Sequence, residues 1–113
     1  MDEFIDSIAK HESLSHFAPW VRQLMDKLDR VGFPEPESCY VISNEFEMHW
    51  KMHGIFIIVE NDTLRFVITP EKVNCPTDIE VFHVEFPEDK MKACLIFLEE
   101  SFCNIQKYWR EDK

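Results

Sequence analysis

An α+β domain is the fold this sequence predicts: a four- to five-stranded antiparallel meander flanked by an N-terminal helix and a long C-terminal helix. Three observations predict it. The central stretch from Asn44, NEFEMHWKMHGIFIIVENDTLRFVIT, has the two-residue period of strands. The segments on either side of it carry apolar residues at spacings of three and four. The chain of 113 residues fits one domain, 1–113, with 45% apolar residues, ten Phe and three Trp to fill a core.

The N-terminal part is helical. Asp2–Lys10 places Phe4, Ile5, Ile8 and Ala9 on one stripe. In the next segment Phe17, Trp20, Val21, Leu24, Leu28 and Val31 recur at three and four, with Arg22, Gln23, Asp26, Asp29 and Arg30 on the other face. Ser13 or Ser15 can cap this helix, and Pro19 is tolerated only in its first turn. Gly32 followed by Phe33-Pro34 is a stop signal: glycine for the left-handed cap, an apolar residue beyond it, and proline to forbid continuation.

Cys39–Ser43 reads as a first strand. From Glu45 to Lys51 the alternation is strict. Phe46, Met48, Trp50 and Met52 point one way; Glu45, Glu47, His49 and Lys51 form the wet row. Gly54 can take a positive φ, so Lys51–Gly54 is a turn, or else a bulge in one bent strand. Ile55–Val59 is apolar on both faces, as in a central strand. Asn61-Asp62-Thr63 is a turn, and Leu64–Thr69 returns as a strand. Pro70–Thr77 is a loop and Asp78–Phe86 a further strand.

Pro87-Glu88-Asp89 suits a helix N-terminus. Beyond it Met91, Leu95, Leu98, Phe102, Ile105 and Trp109 form a narrow seam, broadened by Cys94, Ile96 and Phe97. About 22 residues would span roughly 33 Å, more than a small sheet is wide. The end of this helix is therefore expected to protrude or to meet a second chain.

Charge is the strongest compositional fact. Twelve basic and 22 acidic residues give −10. Such a chain is repelled by nucleic acid and anionic lipid and steered towards basic surfaces. Solubility alone also accounts for an acidic balance. The four cysteines, Cys39, Cys75, Cys94 and Cys103, form no CxxC pair and read as small core residues. Met1-Asp2-Glu3 is unlike the basic start of a signal peptide, and no apolar run reaches the ~18 residues of a membrane span. A reduced, cytoplasmic protein is expected.

No catalytic motif emerges. GxGxxG, P-loop, HExxH, EF-hand and GxSxG patterns do not occur, and two glycines leave little for a phosphate-cradling loop. His49 and His53 have ligand-like spacing, but in a strand they would stand roughly 13 Å apart, with only Cys39 and His83 as further candidates. No metal, cofactor or catalytic residue is assigned.

These features point to a non-catalytic binding protein that inhibits or shields a basic, nucleic-acid-handling protein. In size and charge the chain resembles immunity proteins that neutralise nuclease toxins and phage-encoded inhibitors of bacterial defence complexes. That resemblance is one of type, carried by no motif. The expected contacts are Glu45, Glu47, His49, Lys51, Glu60 and Asp62. Two alternatives remain: a homodimeric adaptor or secretion-type chaperone presenting an apolar sheet face, and a small metal-dependent enzyme using His49 and His53. An uncovered apolar sheet face, either Phe56 and Ile58 or Ile55, Ile57 and Val59, would mark an interface.

Overall fold

The computed structural model describes residues 1–60, 63–68, 79–85 and 91–111, with backbone alone for 79–85 and 107–111. Its elements are α1 (Asp2–Lys10), a 3-10 turn (Ser15–Phe17), α2 (Ala18–Arg30), β1 (Ser38–Ile42), β2 (Glu45–Trp50), a second 3-10 turn (Lys51–His53), β3 (Ile55–Glu60), β4 (Thr63–Ile68), β5 (Ile79–Glu85) and α3 (Met91–Glu111). The five strands are antiparallel and lie in chain order, β1-β2-β3-β4-β5. This is the α+β meander that the periodicity predicts.

The helices lie on one face of the sheet. Phe46, Met48 and Trp50 of β2, Ile55, Ile57 and Val59 of β3, and Leu64 and Phe66 of β4 are buried in one cluster with residues of all three helices. Phe46 meets Phe4 of α1 and Phe17 edge-on, at 6.1 and 5.6 Å between ring centroids. Phe102 of α3 packs against Phe33, Trp50 and Phe66 at 4.7, 4.9 and 5.6 Å. A register shift between Phe66 and Val67 leaves both residues buried.

Among the described residues, the buried indoles of Trp20 and Trp50 are each tied by a hydrogen bond, as an N–H removed from water requires. Trp20 Nε1–H donates to the Met91 carbonyl at 2.9 Å, joining α2 to the start of α3. Trp50 Nε1–H donates to the Pro34 carbonyl at 2.8 Å, pinning the linker after α2 to the sheet. Lys27 and Glu99 add a half-buried ion pair of 3.0 Å between α2 and α3.

Helix α2 stops as the Gly-Phe-Pro signal predicts. Gly32 has φ 78°. Its N–H bonds the Asp29 carbonyl at 3.1 Å, and the Phe33 N–H bonds the Leu28 carbonyl at 2.9 Å. That double closure is the Schellman arrangement, with Phe33 folding back onto the core. Among the described residues a Cβ at position 32 would meet only Gln106 Nε2, at an ordinary contact distance of 3.6 Å. Gly32→Ala is expected to lose about 1 kcal/mol through left-handed backbone strain alone. Urea unfolding would check this, and an unchanged midpoint would contradict it.

Several expectations are corrected. Neither Ser13 nor Ser15 caps α2: Phe17 and Leu14 stand at the caps of α2 and of the preceding 3-10 turn, without side-chain cap bonds. The Ser13 N–H instead bonds His11 Nδ1 at 3.2 Å. Met52 does not continue the buried row of β2. It lies in the 3-10 turn and is 75% exposed, because the chain leaves strand geometry after Trp50. Gly54, at φ 64°, closes that turn, which excludes the single bent strand. Ile96 is 47% exposed, so only Cys94 and the half-buried Phe97 broaden the α3 seam. Cys94 is in the core, whereas Cys39 and Cys103 are half-buried. Cys75, the Pro70–Thr77 loop, the Pro87-Glu88-Asp89 opening and the Trp109 side chain lie outside the described residues.

Candidate functional site

The strand register builds a second sheet face, turned away from the helices. Cα partners share a face, so the pairs Tyr40↔Glu47, Ser38↔His49 and Ile42↔Glu45 place β1 and β2 side chains together. The pairs Glu45↔Glu60, Glu47↔Ile58 and His49↔Phe56 extend the same face into β3, and Ile58↔Arg65 into β4. Phe56 and Ile58 are therefore the apolar pair left outside, and both are half-buried. Ile55, Ile57 and Val59 form the inner row, beneath the helices.

At the centre of this face is a polar cluster. Tyr40 O–H donates to Glu47 Oε1 at 2.8 Å. His49 Nε2 lies 2.7 Å from the same oxygen, which makes the Nε2–H tautomer the donor. Tyr40 Oη is 3.3 Å from His49 Nε2. The imidazole is held between two rings, Tyr40 and Phe56, at 5.2 and 5.0 Å and nearly perpendicular to both. The side chains of His49 and Glu47 are only 15% and 17% exposed. The row expected to be wet is thus partly dry, because the aromatic neighbours close over it.

This crowding separates two carboxyl groups of like chemistry. The hydrogen bond to Glu47 pushes the Glu45 carboxyl up to about 7, helped by burial and by the charges of Glu47 and Glu60, with Arg65 opposing. Burial pushes Glu47 up, but the hydrogen bonds from Glu45, His49 and Tyr40 outweigh it and hold Glu47 below its ordinary value. The bond to Glu47 also raises the Tyr40 hydroxyl. The two shifts run in opposite directions, so at mildly acidic pH Glu45 is the carboxyl that keeps its proton beside an ionised Glu47.

The other expected contacts lie outside this hydrogen-bonded cluster. Lys51 lies past the end of β2, exposed in the 3-10 turn, because Glu37 takes its backbone N–H and that of Met52. Glu60 is exposed at the end of β3, opposite Glu45. Asp62 lies outside the described residues. His53 is not on the face of His49: its ring packs on Phe33 at 5.0 Å, on the helix side. The turn at Gly54 carries it there, so the spacing of the two histidines does not make a joint site. Among the described residues no group of three or more His, Cys, Asp or Glu could hold a metal ion.

Tyr40 was absent from the expected contacts, although a signal for it exists. Ser43-Asn44 is a two-residue connection, with Ser43 at φ 52°. A tight turn of that length dictates that Tyr40 stands opposite Glu47.

The described clefts lie beside this face and not within it. One is between α1 and α2, one between α2 and α3, and one between α1 and β1; of the polar cluster, only Tyr40 borders any of them. The Cys39 thiol, in the α1–β1 cleft, is pushed up to about 11 by burial, with the amino group of Met1 lowering it and Glu35 raising it. A thiol held so high is a poor nucleophile at neutral pH. No described helix is long and apolar enough to cross a membrane. Compared with protein-family models, curated proteins and solved structures, the chain matches none.

Proposed function

We propose that this chain is an acidic, non-catalytic binding protein that inhibits or shields a basic protein of the nucleic-acid-handling kind, in the manner of an immunity protein or anti-defence inhibitor. One observation carries the reading. The sheet face away from the helices joins half-buried Phe56 and Ile58 to the acids Glu45, Glu47 and Glu60. Apolar area lengthens residence, and acid of one sign steers a cationic surface to it. The net charge of −10 works in the same direction and against direct nucleic-acid contact.

The Glu47–His49 pair has the chemistry of an acid–base dyad, and the α1–β1 cleft reaches its cluster at Tyr40. Acid–base catalysis needs a substrate held within hydrogen-bond reach of such a dyad. Docking needs only the face, and the dyad then serves to hold Glu47 ionised and oriented.

The test is capture of a partner from nuclease-treated native lysate at two salt concentrations, followed by association kinetics with the captured protein. Reversing Glu47 would also break its bonds to Tyr40 and His49, so the informative variant is Glu45→Gln with Glu60→Lys. Its association rate should fall about tenfold at low salt, with a flatter salt dependence. An association rate indifferent to both salt and variant would refute the reading. Recovery of only the chain's own copies would favour the homodimeric adaptor.

A further inference from the structure

We infer that the partner contributes an extended basic segment that adds to the free edge of β1 as a sixth strand. The inference rests on the basic-partner reading and names how the partner is held. Strand β1 ends the sheet, with β2 on one side and no described strand on the other. The two-residue turn makes Ile42↔Glu45 a hydrogen-bonded pair. The antiparallel alternation then makes Tyr40↔Glu47 and Ser38↔His49 bonded pairs as well. The Glu37 N–H, which bonds the His49 carbonyl at 2.9 Å, fits that assignment as a bulge at the start of the strand. Cys39 and Val41 are left with N–H and C=O directed at the open edge. No described hydrogen bond from another element reaches them there.

The edge is accessible and its chemistry is lopsided. Cys39 and Val41 are only half-buried, and Ile42 is 55% exposed. A cleft runs between this strand and α1, with Phe4 as an apolar wall and the carboxylates of Glu3 and Glu35 at it, while the Glu37 carboxylate is taken by Lys51 and Met52 N–H. Its only positive group among the described residues is the amino group of Met1. An uncovered strand edge is a template for pairing, and proteins that leave one open usually blunt it with lysine or proline inside the strand. SCYVI contains neither. Backbone bonds would supply affinity, and the flanking carboxylates would select a segment carrying lysine or arginine. A second copy of the chain is disfavoured as the occupant, because edge-to-edge pairing would bring two sets of these acids together.

The experiment uses the full chain and a short peptide of alternating lysine and valine at low salt. A matched peptide of alternating lysine and proline carries the same charge but cannot form a strand. Amide hydrogen exchange of Cys39 and Val41 is followed by NMR alongside binding. The expected result is slowed exchange at those two amides with the valine peptide, and binding at least about tenfold weaker for the proline peptide. Val41→Pro should produce the same loss. It removes an N–H that the β2 ladder does not use, a position at which edge strands accept proline. N-methylation of alternate residues in the valine peptide reads the same contact without altering the protein. Equal binding of both peptides, with Cys39 and Val41 unprotected, would overturn strand addition and leave the basic-partner reading standing. Protection that rises with protein concentration in the absence of peptide would overturn it in favour of self-pairing. No binding of either peptide would overturn it too, and the lysate capture would then judge the basic-partner reading by itself.

Discussion

Trp50→Ala should lower stability by about 3–5 kcal/mol, the usual cost of removing a large aromatic side chain from a core. Trp50 is fully buried at the end of β2. It is where three parts of the chain meet. Its ring touches Phe33, just beyond the end of α2, and Phe102 of α3, and its N–H holds the Pro34 carbonyl. Truncation would open a cavity among aromatic rings that relax poorly, and would release the linker from the sheet. At roughly 4 °C per kcal/mol for a chain of this size, the melting temperature should fall by about 12–20 °C. Trp50→Phe keeps most of the volume and loses the hydrogen bond, so its cost should be nearer 1–3 kcal/mol. Leu98→Ala and Trp20→Ala, both at buried positions, should each cost about 2–5 kcal/mol. Thermal melts of the set would decide the matter. A Trp50→Ala loss below about 1 kcal/mol would mean that the α3 seam is not seated on β2.

That seating could not be read from the sequence, although most of its components could. The row Phe46, Met48, Trp50 was legible because a strand buried on one face repeats every two residues. Helix α2 was legible because its apolar spacing and its Gly32-Phe33-Pro34 stop agree. Which row of β3 faces the helices was not legible, because Ile55, Ile57, Val59 and Phe56, Ile58 are equally apolar. Only the register with Phe46 and Met48 decides it. The site was half legible. Periodicity places Glu45, Glu47 and His49 in one row, but hydropathy makes that row wet because it ignores cross-strand neighbours. Tyr40 and Phe56 arrive from the two adjacent strands and turn three separate polar residues into one network. Met52 and Ile96 show the converse: apolar residues in phase with a buried row that the chain leaves in solvent.

Stability should peak at mildly acidic pH, on the order of pH 5, and Glu45→Gln should flatten the limb above it. Glu45 is raised from 4.5 to about 7, so the folded chain holds its proton more tightly than the unfolded chain. The stability this contributes is fully present below the ordinary value and is lost as pH rises through about 7. Glu47 is lowered, so its contribution has the opposite sense: present above the ordinary value, and lost as pH falls. Between the two limbs Glu45 is protonated and Glu47 is ionised. Glutamine at position 45 keeps an N–H donor for Glu47 and cannot ionise. It should match the native chain near pH 5 and exceed it at pH 8 by on the order of 1 kcal/mol, after allowance for screening by solvent at the surface. Urea unfolding of both proteins across this range would show converging curves on the acid side. Parallel curves would mean that folding does not raise the Glu45 carboxyl. The same linkage bears on binding. A cation docked at this face favours the ionised Glu45 and expels its proton, so affinity for a basic partner should increase as pH rises through about 7. In the Glu45→Gln variant that increase should disappear, which separates the contribution of this one carboxyl from that of the chain's net charge.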